Sequence, residues 1–548
     1  MLYGNSSASK NGTTFHFLPV TTTEPSTRRE IELRQASARS HLARTIHRRK
    51  RSSARKNTRP SEMNLLGDRD TVCANHIGSL HCQRVTPELF CSIPDQVVGR
   101  HTRLLLHYCI QSFWPGFEVG TAAFHIPSFA RDFNTLVAQG PALVHALLWS
   151  AAVSLSYRRK ERVTDKESLM HYNQALNYIS QDVTKPVTEI PEQTMYAILS
   201  LTGPEVSADN GECIVKRAFN PPLAELSWIH VYGRRLHIDA HAKALIRIVQ
   251  LKGGIHNLKS PDFQASFNYM DLTRASQKLV RPHLHVSKMY GRVWKTHDRR
   301  QFFGYATDLA SGCSVQVSMK AIDRLRESGL STELEDIIYD MRTWVKVIEG
   351  YHCGLLTNPD SSLLTAHRDL IQQRLLATLT EEDENSLRGD ISETQDDVGG
   401  WINDLVQTAL LIFSLGVTFP IPYAPPYHRL AKRLQDQLEQ YTERAFGLGL
   451  FDLLIWVGML GVLCSEQVGD DLKTWFIHFL STVEKAHTSG SETREWVVVK
   501  TESLETFLWS SVSCDATAKG AWKEVQEGEG SRGWEIIAWQ GMLGTICG

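Results

Sequence analysis

The chain has 548 residues, of which 42% are hydrophobic and 22% are charged, and its formal net charge is −1. This composition is that of a globular protein, and the length allows two to four domains. No apolar run of secretory length follows the polar N-terminus, which argues against a secreted protein. We therefore expect a nuclear or cytosolic protein, with the nucleus favoured by the basic segment described next.

The charge is unevenly distributed, because residues 28–59 hold 12 Arg or Lys and only two Glu. This segment, the basic arm, carries a formal charge of +10, which leaves −11 on the remaining residues. Its cations repel one another and it has little apolar surface to bury, so we expect residues 1–60 to be disordered in the absence of a ligand. Five arginines recur at steps of three or four residues, as one stripe of a helix would: Arg44, Arg48, Arg51, Arg55 and Arg59.

A strongly basic arm favours a polyanionic partner, because phosphate contacts release counterions. Residues 47–51, HRRKR, are also typical of a nuclear import signal, so an import receptor is a second expected partner. A membrane-surface helix is disfavoured because the arm lacks Trp and Phe, and a solvated tail without a specific ligand is the remaining alternative. The residues assigned to nucleic-acid or import contact are Arg44, Arg48, Arg49, Lys50, Arg51, Arg55 and Lys56.

Residues 61–97 contain Gly and Pro and predict a linker. From residue 98 to residue 548 the apolar residues follow helical periodicity, which predicts an all-α domain of stacked helices. The helices are predicted at residues 101–113, 141–157, 168–179, 191–201, 238–249, 263–276, 319–351, 362–380, 401–415, 428–446, 450–464, 472–485 and 496–512.

Several segments predict how these helices end or are buried. Gly253 and Gly254 follow a predicted helix and suit a left-handed cap, whereas the four prolines of residues 419–427 must interrupt a helix. Residues 381–397 hold eight acids and one Arg, which predicts a solvated loop, with an acidic activation surface as the alternative. Residues 448–464 form an apolar run of 17 residues, and we expect a buried core helix there rather than a membrane span.

No catalytic motif is found: the sequence lacks a Gly-x-Ser-x-Gly elbow, a phosphate-binding loop and a dinucleotide fingerprint, so we expect no enzyme. The ten cysteines include no Cys-x-x-Cys pair, which favours reduced, mostly buried thiols. The nine-residue spacing of Cys73, Cys82 and Cys91 does not match a zinc finger.

The histidines are predicted to pack rather than to bind metal. His237 and His241 lie four residues apart, but the Glu that a zinc protease needs beside the first His is replaced by Ile238. Residues 281–285, RPHLH, are a similarly weak metal candidate. We expect His145, His171 and His241 to lie at helix–helix contacts, and we expect no cofactor and no metal site.

The order of several short motifs carries a family resemblance. These are LVHALL at residues 143–148, AILSL at residues 197–201, the Gly253–Gly254 cap, and an apolar helix, a proline-rich break and Trp456 further on. Over roughly residues 95–515 the chain resembles the regulatory region of fungal-specific transcription factors. The resemblance implies a helical regulatory region, a nuclear location and transcriptional control.

Members of that family usually carry a six-cysteine, two-zinc DNA-binding cluster at the N-terminus, but the first 72 residues of this chain contain no Cys. The chain resembles instead the subset that begins with an Arg-Ser-His arm, here at residues 39–41 and followed by residues 47–51. We therefore expect a nuclear transcription regulator whose helical domain binds partner proteins, itself or a small effector. The alternative is a helical interaction adaptor that makes no contact with DNA.

Overall fold

Apolar residues that recur every three or four positions bury one face of a helix, and the described part of the chain folds accordingly into helices without a strand. This confirms the all-α prediction. The described residues all belong to one compact unit. The computed structural model describes residues 100–109, 113, 140–159, 165–202, 218–233, 239–259, 261–284, 320–355, 361–388, 400–466, 470–489 and 493–528.

The predictions made for residues 1–60, with the basic arm at residues 28–59, and for the linker at residues 61–97 lie outside the described residues.

The described α-helices, numbered in chain order, are α1 Arg100–Tyr108, α2 Pro141–Arg158, α3 Lys166–Asp182, α4 Glu192–Leu201, α5 Ile229–Tyr232, α6 Asp239–Leu251, α7 Pro261–Lys278, α8 Lys320–Glu327, α9 Thr332–His352, α10 Ser361–Ala377, α11 Glu381–Arg388, α12 Trp401–Phe413, α13 Ala424–Gly447, α14 Phe451–Ser465, α15 Asp470–His487, α16 Trp496–Val499 and α17 Ser511–Glu527.

Helix α2 lies at the centre of the first group of helices and contacts α1, α3 and α4. Helix α3 begins at Asp165, whose carboxylate accepts a 2.7 Å hydrogen bond from the backbone N–H of Ser168. From there α3 buries His171, Ala175 and Ile179 at steps of four, which places one continuous stripe toward its neighbours.

Helix α14 forms the centre of the second group, and every residue from 453 to 465 is buried. It contacts α12, α13, α15 and α17, so apolar side chains meet protein on all of its sides. Close approach of α15 depends on Gly458 and Gly461, where a Cβ atom would meet Leu480 and Phe476. The indole N–H of Trp456 donates to the Leu508 carbonyl at 2.7 Å. The predicted core helix is thus confirmed.

Helix α7 connects the two groups, because it contacts α4 on one side and α10 and α13 on the other. Arg429 of α13 donates to the carbonyls of Gln277 and Lys278 at 2.8 and 3.0 Å. These two carbonyls at the C-terminal end of α7 therefore have hydrogen-bond partners. The predicted cap after α6 is confirmed as well, since Gly253 and Gly254 have φ of +89° and +94°.

Three helix predictions were wrong in detail. Residues 319–351 form two helices, α8 and α9, because the chain turns at Gly329 with φ of +103° and Ser331 then caps α9. The helix predicted at residues 496–512 ends in a π-turn at Lys500–Leu504, and α17 begins after it. Helix α13 begins at Ala424, inside the proline run, because Pro425 and Pro426 occupy first-turn positions, where a proline N–H is not needed.

The loop prediction for residues 381–397 was wrong over its first half, which forms α11. Thr380 and Asp383 cap each other: the Asp383 N–H donates to the Thr380 hydroxyl at 3.1 Å, and the Thr380 N–H donates to the Asp383 carboxylate at 2.8 Å. Arg433 of α13 pairs with Asp383 at 2.5 Å, so a tertiary ion pair holds the acidic segment in place. The remaining residues of the predicted loop, 389–397, lie outside the described residues.

One described segment, Trp401–Thr418, is long and apolar enough to cross a membrane. It comprises α12 and the π-turn Ser414–Thr418 that follows it. Within the fold 89% of this segment is buried, so neighbouring helices cover its apolar surface.

Candidate functional site

The residues predicted to contact nucleic acid or an import receptor lie outside the described residues: Arg44, Arg48, Arg49, Lys50, Arg51, Arg55 and Lys56. The same holds for the cysteines at 73, 82 and 91 and for the histidines at 237 and 285. The described candidates therefore lie in the helical body, where buried polar and ionisable side chains form several clusters, three of them around His171, Arg368 and Asp271.

The first cluster joins α1, α2 and α3 through two histidines. The Nδ1 atoms of His145 and His171 lie 2.8 Å apart, and the His171 Nε2 atom lies 3.0 Å from the Thr102 hydroxyl. That hydroxyl donates to Glu167 at 2.5 Å, and the Thr102 N–H donates to the same carboxylate at 3.1 Å. The ring of His145 also stacks on Tyr178 at a centroid distance of 6.0 Å. The predicted helix–helix location of both histidines is confirmed.

The hydrogen bonds decide where the protons of this pair lie. Because the Thr102 hydroxyl gives its proton to Glu167, it must accept from the Nε2–H of His171. The Nδ1 atom of His171 is then an acceptor, and His145 donates to it from its own Nδ1–H. His171 is neutral in this arrangement, because a second proton on it would face the Nδ1–H of His145.

The environment of the pair favours its neutral form. Burial first, and then the neighbouring His145, lower the pKa of His171 from 6.5 to about 4. Burial also lowers the pKa of His145. At the edge of the cluster His101 lies 3.0 Å from the Ser168 hydroxyl and 3.3 Å from the Asp165 carboxylate. Hydrogen bonds of the cluster thus join three helices, and the neutral form of the His pair is the form that fits them.

The second cluster surrounds Arg368 of α10, of which only 1% is exposed. Its guanidinium pairs with the carboxylate of Asp369 at 2.7 Å, donates to the Leu226 carbonyl at 2.7 Å and lies 5.0 Å from the Phe419 ring centroid. Tyr269 lies 5.8 Å away, and burial strongly raises the pKa of its phenol. A cation is stabilised here by a carboxylate, a carbonyl and aromatic faces, which suits a structural role where α7 and α10 meet the segment that follows α12.

The third cluster ties the end of α7 to the chain that follows it. Asp271 accepts from Arg274 at 3.2 Å and from the backbone N–H of Leu284 at 2.9 Å, and His283 lies 3.5 Å away. Burial raises the pKa of Asp271, but the neighbouring His283, the charge of Arg274 and the Leu284 N–H together lower it by more, so the net shift is downward. His283, one of the weak metal candidates, therefore lies beside the carboxylate of Asp271.

No group of three potential metal ligands occurs among the described residues. The other histidine of the weak candidates, His241, is buried in α6, and burial lowers its pKa. Of the residues in the first cluster, the sequence identified only His145 and His171. Thr102 and Glu167 were missed, because their proximity to His171 depends on how α1 and α3 pack, and no local spacing reveals it.

Comparison of the chain with models of protein families, with curated proteins and with solved structures finds no match. The family resemblance drawn from residues 143–148, 197–201 and 253–254 therefore stays a prediction from the sequence.

Proposed function

We propose that this protein is a nuclear transcription regulator, in which a helical body binds partners and the basic arm contacts nucleic acid or an import receptor. The observation that carries the proposal is the charge asymmetry: residues 28–59 hold +10 in a chain whose total is −1. A local charge of that size gives strong, salt-dependent association with phosphates and near diffusion-limited encounter with nucleic acid.

The helical body supports a scaffolding role within this proposal. The three clusters hold helices and connecting segments in place: His171 bonds to Thr102 of another helix, Arg368 donates to the Leu226 carbonyl, and Asp271 accepts from the Leu284 N–H. A connected hydrophobic core joins described residues between Ala218 and Val525. Such a core supports a helical body that can present a fixed surface to partners.

A helical interaction adaptor without DNA contact is the second candidate, and the HRRKR run at residues 47–51 is compatible with it. That run satisfies the requirements of an import signal without any need for DNA. In this case the arm would deliver the body to the nucleus, and the helical surface alone would act there.

The test is selection of duplex DNA from a random pool by the full-length protein, together with two variants. The first variant changes residues 48–51, RRKR, to Ala and removes four positive charges from the arm. The control removes four positive charges from exposed positions of the helical body: Lys166, Lys243, Lys320 and Lys523, each changed to Ala.

Enrichment of a sequence by the wild type and the control, but not by the arm variant, is the expected result. Retention of DNA without enrichment would reduce the arm to phosphate binding, with specificity supplied by a partner protein. If the wild type retains no DNA, direct DNA contact is wrong. Nuclear import of the arm variant, measured by fluorescence of the tagged chain, then decides whether the arm serves the adaptor.

A further inference from the structure

A left-handed turn of two residues lies in the chain between the first group of helices and α6. Ser227 has φ of +54° and ψ of +33°, and Trp228 has φ of +56° and ψ of +25°. Residues with a side chain rarely adopt this conformation, because the Cβ atom crowds the following carbonyl. Ser227 is buried, and the right-handed turn of α5 begins directly after Trp228. Two consecutive residues other than glycine are therefore held in a strained backbone.

Contacts from α7 and α10 hold the first part of this turn. The hydroxyls of Ser227 and Thr365 lie 2.6 Å apart, and the Tyr269 hydroxyl donates to the Ser227 carbonyl at 3.0 Å. One residue earlier, Arg368 donates to the Leu226 carbonyl at 2.7 Å. Since Tyr269 belongs to α7 and the other two partners belong to α10, two helices fix the backbone of the turn.

The side chain of Trp228 is held instead by residues that follow α1 and end α2. Its indole N–H donates to the Phe113 carbonyl at 3.0 Å, and the two rings lie 6.2 Å apart. The guanidinium of Arg158, the last residue of α2, lies 5.8 Å from the centre of the Trp228 ring. Within two residues the turn thus joins the first group of helices to α7 and α10.

The apolar packing leaves the two sides of the turn separable. Among the described residues, the connected core between Ala218 and Val525 takes none from α1, α2, α3 or α4. Helix α7 contributes to that core through residues of its C-terminal half: Tyr269, Leu272 and Ala275. Because the first group packs outside this core, it can move without opening the core to water. The contacts of the turn therefore contribute directly to how firmly the first group is held.

We propose that residues 226–228 are a strained latch, which holds the first group of helices against α7 and α10 and releases it when the contacts of the turn break. Strain favours release, because Ser227 and Trp228 then return to right-handed or extended backbone. The hydrogen bonds favour closure, so a modest change in either effect shifts the populations of the two states. Release changes the surface that the helical body presents to partners. The latch does not depend on the basic arm, so it is tested separately from the proposed function.

The test is single-molecule energy transfer in the full-length protein, between dyes attached through bioorthogonal amino acids at two exposed positions. Gln174 of α3 places one dye on the first group, and Lys519 of α17 places the other on the second group. We expect a main closed state and a minor open state of different transfer efficiency. The ratio of open to closed molecules is the quantity compared among variants.

Removing one contact from either side of the turn should raise this ratio. Tyr269→Phe deletes the hydroxyl that binds the Ser227 carbonyl, and Trp228→Phe deletes the N–H that binds the Phe113 carbonyl. Each should raise the ratio by about fivefold, the effect of one lost hydrogen bond. Tyr427→Phe is the matched control, because it deletes a buried hydroxyl bonded to a carbonyl within the second group and should leave the ratio unchanged.

A pair of substitutions at Ser227 tests the strain itself. Ser227→Gly and Ser227→Ala both remove the hydroxyl that contacts Thr365, but only Gly adopts the left-handed conformation without steric cost. The Gly variant should therefore have a lower ratio of open to closed molecules than the Ala variant. The same pair at Ser276, a buried serine of α7 bonded to Gln372 at 2.8 Å, should give equal ratios.

Circular dichroism of each variant verifies that it is folded, and Trp228→Phe keeps the test decisive if Tyr269→Phe does not fold. An unchanged ratio in the folded latch variants overturns the proposal, as does an equal rise in Tyr427→Phe. A higher ratio in Ser227→Gly than in Ser227→Ala shows that the turn is not strained and overturns it as well. DNA selection by the same preparations reports the proposed function separately.

Discussion

His145 donates from Nδ1 to the Nδ1 of His171 at 2.8 Å, and the other nitrogen of His171 donates to Thr102. Both nitrogens of His171 are thus used while the ring is neutral, and a proton added to it has no acceptor. The relationship links three helices, because the two histidines and the threonine belong to α2, α3 and α1.

The first prediction concerns pH. The folded-state pKa of His171 is about 4 against 6.5 for an exposed His, so the unfolded chain binds more protons between these values. The free energy of unfolding should therefore fall as pH drops from about 6.5 to about 4, with His171 contributing on the order of 2 kcal/mol. Urea unfolding at about pH 7.5 and about pH 5 measures the difference.

The variant His171→Gln isolates this contribution, since Gln does not titrate and the other histidines remain. It should lose part of the difference in unfolding free energy between the two pH values. His256→Gln, at an exposed position, is the control and should keep the wild-type difference. An unchanged difference in His171→Gln would show that the acid sensitivity lies elsewhere.

The second prediction concerns the contact of α14 with α15. A Cβ atom at Gly461 would overlap the ring of Phe476, which is itself buried. We expect Gly461→Ala to lower the free energy of unfolding by about 1–3 kcal/mol, because both helices must move or the ring must leave its rotamer. The midpoint of chemical denaturation measures the loss.

Gly520→Ala is the matched control in α17. A Cβ atom there meets nothing within 4 Å, so the variant should gain about 0.5–1 kcal/mol from the higher helix propensity of Ala. The opposite signs distinguish steric exclusion at Gly461 from a general effect of the substitution. Equal effects at both positions would contradict the close packing of α14 on α15.

The third prediction concerns the buried ion pair in α10. Arg368→Met removes the guanidinium that neutralises Asp369 at 2.7 Å and should cost about 3–5 kcal/mol of unfolding free energy. The double variant Arg368→Met, Asp369→Leu removes both charges and should be less destabilised than the single variant. Chemical denaturation of both proteins, with Arg324→Met at an exposed position as the control, measures the difference. A double variant that is less stable than the single variant would show that Asp369 is stabilised by other groups.

The fourth prediction concerns the salt dependence of DNA binding. If the four cations of residues 48–51 contact phosphates of B-DNA, changing them to Ala should reduce the slope of log K against log salt by about 3.6. Fluorescence anisotropy with one duplex at several salt concentrations measures the slope. The body variant that loses Lys166, Lys243, Lys320 and Lys523 should keep the wild-type slope, and an equal reduction in both variants would contradict a specific role of the arm.

Much of the fold follows from local pattern, and its failures have identifiable causes. The period of apolar residues placed α2, α3, α7 and α14 within a few residues, because a buried stripe repeats every three or four positions. The break at Gly329 was missed, since a single glycine within a helical pattern does not by itself end a helix. The acidic composition of residues 381–397 predicts a loop, because the partner that holds Asp383 in a helix, Arg433, lies 50 residues away.

The sequence by itself determined the all-α class and the segregation of charge into residues 28–59, because helical periodicity and local charge are properties of neighbouring residues. Only the tertiary structure decided which polar side chains meet. The His145–His171 pair, the burial of Arg368 against Phe419 and the bond from Tyr269 to the Ser227 carbonyl all join residues from separate segments of the chain. Such contacts depend on how helices pack in space, and a spacing along the chain contains no record of it.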